Sequence, residues 1–121
     1  MFEVGFDKTR NLFRVAFSGH VDAEEAKRSN EQIATLFSDT KPGFRLLTDL
    51  TGLETMERAC VPFIRQSMDL FNKHGVGTVV RVIPDPHKDI GFNILSLFHY
   101  RQDIRIATCK TLEEAMNVLA A

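Results

Sequence analysis

The chain has two cysteines, Cys60 and Cys109, among 121 residues. They form no C-x-x-C pair and no even framework of four or six, so nothing encodes a disulfide-stapled scaffold. Two buried thiols in a reducing compartment is the plain expectation. Charge of one sign is also missing: 15 basic and 16 acidic residues leave a formal charge of −1. A nucleic-acid binder would normally show a clear basic excess, so none is expected. No window approaches the ~20 apolar residues of a membrane span. The first residues, Met-Phe-Glu-Val-Gly-Phe-Asp-Lys, place charges where a signal peptide needs an unbroken apolar stretch. A cytoplasmic protein is expected, with no linker, internal repeat or low-complexity segment.

What is present suits one domain over residues 1–121. The apolar fraction is 44% and the charged fraction 26%, ordinary for a globular fold of this length. Phe2, Val4 and Phe6 alternate with polar or small residues, and so do Phe13, Val15 and Phe17, which predicts a hairpin. Asp22 with Glu25 three residues on reads as a helix start. That helix runs through Ala26, Ile33, Leu36 and Phe37, before the breaker Lys41-Pro42-Gly43. A strand spans Phe44 to Leu50. Cys60, Phe63, Ile64, Ser67 and Phe71 then fall on one helical face, with Pro62 placing the helix start near Arg58–Cys60 and Gly75 ending it.

Val76 to Ile83 reads as a strand of near-continuous apolar character. Asp85-Pro86 opens a helix reaching about Tyr100, and Ile104 with Ile106 marks a short strand. A Thr111 cap opens the closing helix, with Leu112, Ala115, Met116 and Leu119 on its apolar face. The order predicts an α/β protein: an N-terminal β-hairpin, then parallel strands joined by right-handed helical crossovers. Its sheet should have five strands, mostly parallel, with helices mainly on one face.

Four strands carry an arginine at what reads as the polar parity: Arg14, Arg45, Arg81 and Arg105. Placed together on a helix-free face, they would either shield an open sheet or dock an acidic partner surface or anionic head group.

The pattern resembles the STAS-type domains, the fold of the anti-sigma-factor antagonists and their SpoIIAA-like relatives. The resemblance runs through Ser18-Gly19-His20-Val21-Asp22, through Leu46-Leu47-Thr48-Asp49-Leu50-Thr51-Gly52-Leu53, and through Lys110-Thr111-Leu112-Glu113-Glu114-Ala115. It implies a right-handed βα superhelix after the hairpin, and a role in protein–protein regulation rather than catalysis. Antagonists of this kind carry an Asp-Ser-Ser-Gly stretch at the start of the second helix, whose second serine a partner kinase phosphorylates. Laid onto this chain, that stretch falls on Glu57, Arg58, Ala59 and Cys60, and both hydroxyls are missing. Phosphorylation at that position is therefore not expected.

Other constellations are sparse. His20, His74, His87 and His99 show no metal-ligand spacing to one another or to a cysteine. Gly75-Val76-Gly77 precedes a strand, so it is a turn rather than a phosphate loop. Cys60 has two readings, a thiol nucleophile at a helix start or an inert core residue. Asp49, at a strand's C-terminal end, either rims a ligand site with Thr51 and Asp85 or caps loop amides. Phe92, Ser96 and Tyr100 line the outward ridge of the helix expected over His87 to Tyr100, as a contact surface or beneath a covering loop.

The reading that results is a non-catalytic protein-interaction module without cofactor or metal. Its expected contact surface combines Glu57, Arg58 and Ala59 with Phe92, Ser96 and Tyr100. The partner is another protein, a kinase-like or sigma-regulatory factor, or a second copy. Two alternatives are a carrier of an apolar or acyl ligand beneath that ridge helix, and an enzyme using Cys60 or Asp49.

Overall fold

The computed structural model describes residues 1–84 and 104–120. Strands β1 (Phe2–Asp7) and β2 (Leu12–Phe17) form the expected antiparallel hairpin, with Phe2 opposite Phe17 and Phe6 opposite Phe13. Helix α1 (Ala23–Ala34) starts where Asp22 accepts a hydrogen bond from the Glu25 amide at 2.9 Å. It stops earlier than its apolar pattern suggests: Leu36 and Phe37 belong to the following turn, a 3₁₀ segment over Phe37–Asp39.

Strand β4 (Arg45–Asp49) lies parallel to β2, β6 (Thr78–Val82) parallel to β4, and β7 (Arg105–Cys109) parallel to β6. The sheet order is β1-β2-β4-β6-β7, one step at a time in one direction. Helix α2 (Val61–Lys73) connects the middle of this series, entered through a 3₁₀ turn at Arg58–Cys60. Gly75 ends it at φ +89°, a left-handed conformation that costs other residues free energy. Gly77 is needed for closeness instead: a Cβ there would come within 3.1 Å of the Gly43 backbone.

Two short strands were not expected. β3 (Gly19–Val21) and β5 (Leu53–Met56) make a separate parallel pair beside the main sheet. With three and four residues, neither carries enough alternation to stand out in the sequence.

The main core lies between the sheet and helices α1 and α2. Phe13 is fully buried at its centre, with its ring 5.0 Å from that of Phe71, 5.3 Å from Phe37, 5.8 Å from Phe6 and 6.2 Å from Phe44. The opposite face is not helix-free. Helix α3 (Leu112–Ala120), capped by Thr111 accepting from the Glu114 amide at 3.1 Å, packs there against β4, β6 and β7. Its Ala115 and Leu119 form a second core with Leu12, Leu47, Val80, Val82 and Cys109. A crossover helix is held to its face by the handedness of the connection. α3 follows the last strand and is under no such constraint.

Met116, expected on the apolar face of this helix, is 37% exposed. Phe13→Ala should lower the unfolding free energy in urea by about 3–5 kcal/mol, the scale of a buried aromatic deletion. Met116→Ala should change it by no more than about 0.5 kcal/mol.

Candidate functional site

The four-arginine surface is not formed. Arg81 lies on the same face as Val79, in register with Thr48 and Thr108, and only 6% of it is exposed. One guanidinium nitrogen donates to the Thr108 hydroxyl at 2.8 Å. The parity was ambiguous because Val79, Val80 and Val82 are all buried, so alternation in this strand cannot say which face is open. Arg45 does share a face with Arg14 and Arg105, but its guanidinium is engaged. It donates to the Leu119 carbonyl and, at 2.8 Å, to the Arg10 carbonyl, tying down the C-terminal turn of α3 where a cation is favoured.

Arg14 stands 3.8 Å from the Asp49 carboxylate. The open recess beside this pair, about 180 Å³, is lined by Glu3, Arg14 and Asp49 among others, so it carries both signs and is no dedicated anion site. Asp49 also accepts from the Thr51 amide at 3.0 Å and from the Thr51 hydroxyl. Its oxygens are used within the fold, in keeping with the capping reading. Asp85, the third rim residue, lies outside the described residues, as do Phe92, Ser96 and Tyr100.

Glu57, Arg58 and Ala59 come together as an exposed step immediately before α2. Beneath them Cys60 is fully buried, its thiol donating to the Val21 carbonyl at 3.5 Å. Burial, and next the Glu57 charge, pushes this thiol above its ordinary range, with Asp22 and Glu25 adding in the same direction. Cys60 is therefore no activated nucleophile.

Sequence reasoning did not reach the residues that the β3–β5 pair adds to this step. His20 pairs with Thr55 across the strands, and a one-residue irregularity next to it passes over Glu54. A bulge of this kind re-aims side chains. Here it sets Thr55, rather than Glu54, against the imidazole. His20 Nδ1 lies 2.6 Å from the Thr55 hydroxyl, and Nε2 lies 3.3 Å from a Glu57 carboxylate oxygen. An ionised carboxylate can only accept, so Nε2 carries a hydrogen; in the neutral ring Nδ1 is then the acceptor and the Thr55 hydroxyl the donor. These residues are 35 and 37 positions apart in sequence, and no local motif announces them.

No helix among the described residues is long and apolar enough to cross a membrane. The main core encloses a cavity of about 20 Å³ lined by residues including Ile33, Thr48, Ile64 and Ser67. That is room for about one water molecule.

No protein-family model matches the chain, and no curated protein matches it by sequence. Solved structures do. An uncharacterised protein from Shewanella loihica with a SpoIIAA-like fold superposes with a TM-score of 0.68 at 12% identity, over 98% of this chain and 93% of that one. An anti-sigma factor antagonist from Mycobacterium paratuberculosis gives 0.63 at 17% identity, over 100% and 96%. The phosphorylated form of the Bacillus cell fate determinant SpoIIAA gives 0.63 at 17% identity, over 98% and 99%. The chain has the SpoIIAA-like fold, as its sequence resemblance implied.

Both thiols are raised by burial, Cys109 as well as Cys60. The folded state holds them protonated, so their contribution is full below the unfolded thiol pKa of about 8.5 and is lost as pH rises toward the folded values. Urea unfolding between pH 7 and pH 10 should show stability falling above about pH 8.5. The double variant Cys60→Ala, Cys109→Ala should fall less steeply; an equal decline would contradict the burial assignment.

Proposed function

We propose that the chain is a cytoplasmic regulatory module that binds another protein through the step before α2, formed by Glu57, Arg58 and Ala59 with His20 and Thr55 beside them. The observation that carries this reading is three consecutive exposed residues, two of them charged, set on a backbone held from below. Cys60 is buried under the step, and the Glu57 amide donates to the Val21 carbonyl at 3.0 Å. A rigid, solvent-facing polar ledge loses little conformational entropy on binding. Two of the similar structures are named anti-sigma factor antagonists, which supports a protein rather than a small molecule as partner.

SpoIIAA is known in phosphorylated and unphosphorylated forms. In this chain Ala59 stands where the resemblance places the accepting serine, and an alanine has no oxygen to receive a phosphoryl group. We read the ledge as a docking surface without that switch. The carrier alternative places its ligand beneath the helix expected over His87 to Tyr100, which lies outside the described residues; the cavity in the main core, about 20 Å³, is far below the ~300–1,000 Å³ of ligand pockets.

Capture from a host lysate with a tagged chain tests the reading. Glu57→Lys with Arg58→Glu should reduce recovery of the partner at least tenfold, the scale of losing one interface hot spot. The melting temperature should be unchanged because both side chains are exposed. Arg14→Glu, away from the ledge, should leave capture intact. Capture that survives the ledge variant but fails with Arg14→Glu would move the interface to the sheet face.

A further inference from the structure

We propose that Thr55 is an acyl-acceptor hydroxyl, with His20 as its general base and Glu57 as the residue that positions that base. The proposal does not depend on the docking reading, because it concerns chemistry of the purified chain alone.

Three observations meet at one point. The Thr55 oxygen is 2.6 Å from His20 Nδ1, within the reach a general base needs of the proton it removes. Glu57, 3.3 Å from Nε2, holds the proton on that nitrogen and leaves the Nδ1 lone pair facing the hydroxyl. The same carboxylate stabilises the imidazolium that forms when Nδ1 takes the proton. Hydroxyl, imidazole and carboxylate stand in the order that activates a weak nucleophile. The strand irregularity is what creates the order, since an unbroken register would set Glu54 opposite His20.

Access is open: the His20 side chain is 57% exposed and that of Glu57 47%, and Thr55 is exposed. The surroundings select the electrophile. Glu54 and Glu57 flank Thr55 in the sequence, and the ledge carries one cation beside them, Arg58. A polyanionic phosphoryl donor meets repulsion here, whereas an uncharged activated ester or thioester does not.

In the step, the Thr55 oxygen forms a bond to the carbonyl carbon as its proton passes to His20 Nδ1. The tetrahedral adduct then breaks the bond to the leaving alkoxide or thiolate, which takes the proton from Nδ1. The product is an ester on Thr55, with His20 neutral again.

Incubation of the full chain with p-nitrophenyl acetate at neutral pH, followed by peptide mass mapping, tests this. One acetyl group should appear on Thr55 and be removed by hydroxylamine, which spares lysine amides. Thr55→Val should lose this ester, and Thr55→Ser should keep it. His20→Ala should slow its formation about a hundredfold, the low end of what a positioned base contributes, and added imidazole should restore part of the rate. Glu57→Ala should slow acylation, and Glu57→Gln, whose amide oxygen still accepts from Nε2, should recover part of the rate. The absence of a Thr55 ester overturns the proposal, and so does a Thr55 ester formed at undiminished rate in His20→Ala.

Discussion

Two interior strands of the sheet, β4 and β6, bury apolar side chains on both faces, and the helices are arranged around covering them. In β4 and β6, Leu46, Leu47, Val79, Val80 and Val82 are all nearly or fully buried. Each such side chain is worth about 1.5–3 kcal/mol when taken from water, so neither face can stay open at the centre. Helices α1 and α2 close one side over the Phe13 cluster, and α3 closes the other over Leu47, Val80 and Val82. Arg45 fastens α3 by binding the Leu119 carbonyl.

That arrangement decides where polar chemistry can sit. Over these strands a charged group is engaged within the fold, Arg45 at the Leu119 and Arg10 carbonyls and Arg81 at the Thr108 hydroxyl. Exposed charge collects at the margins: on the open side of β1 and β2, where Arg14 meets Asp49, and on the ledge where β3 and β5 meet the start of α2. The ledge has an advantage the β1–β2 margin lacks. Its residues arrive from two separate stretches of chain, and the backbone between them is fixed by the β3–β5 pairing and by buried Val21, Leu53 and Cys60. Side chains there hold their places without being covered.

The elements with local signals were legible before any coordinates. The hairpin followed from two-residue alternation, α1 from its Asp22 cap, the end of α2 from Gly75, and the start of the last helix from Thr111. The sheet order followed from the alternation of strands and helices. The placement of α3 was partly legible as well: a near-continuous apolar run from Val76 to Ile83 already implies cover on both faces, which conflicts with a helix-free side. Alternation alone puts Arg81 with the other three arginines, but in a strand buried on both faces alternation does not mark the open side. What could not be read was non-local. His20 meets Thr55 only through a pair of strands too short for periodicity to mark, and only because the register passes over Glu54. The exposed triplet Glu57-Arg58-Ala59 was located by resemblance, and its companions by the fold.

Residue-resolved hydrogen exchange tests the central claim, a sheet clamped from both faces that carries a polar ledge at its rim. The amides of β4 and β6 should exchange only through global unfolding, with an opening free energy equal to that from urea denaturation. The amides from Glu54 to Ala59 should exchange through local openings of lower free energy. Central strands that open as readily as the ledge would contradict the account, because α3 would then not be holding the second face of the sheet.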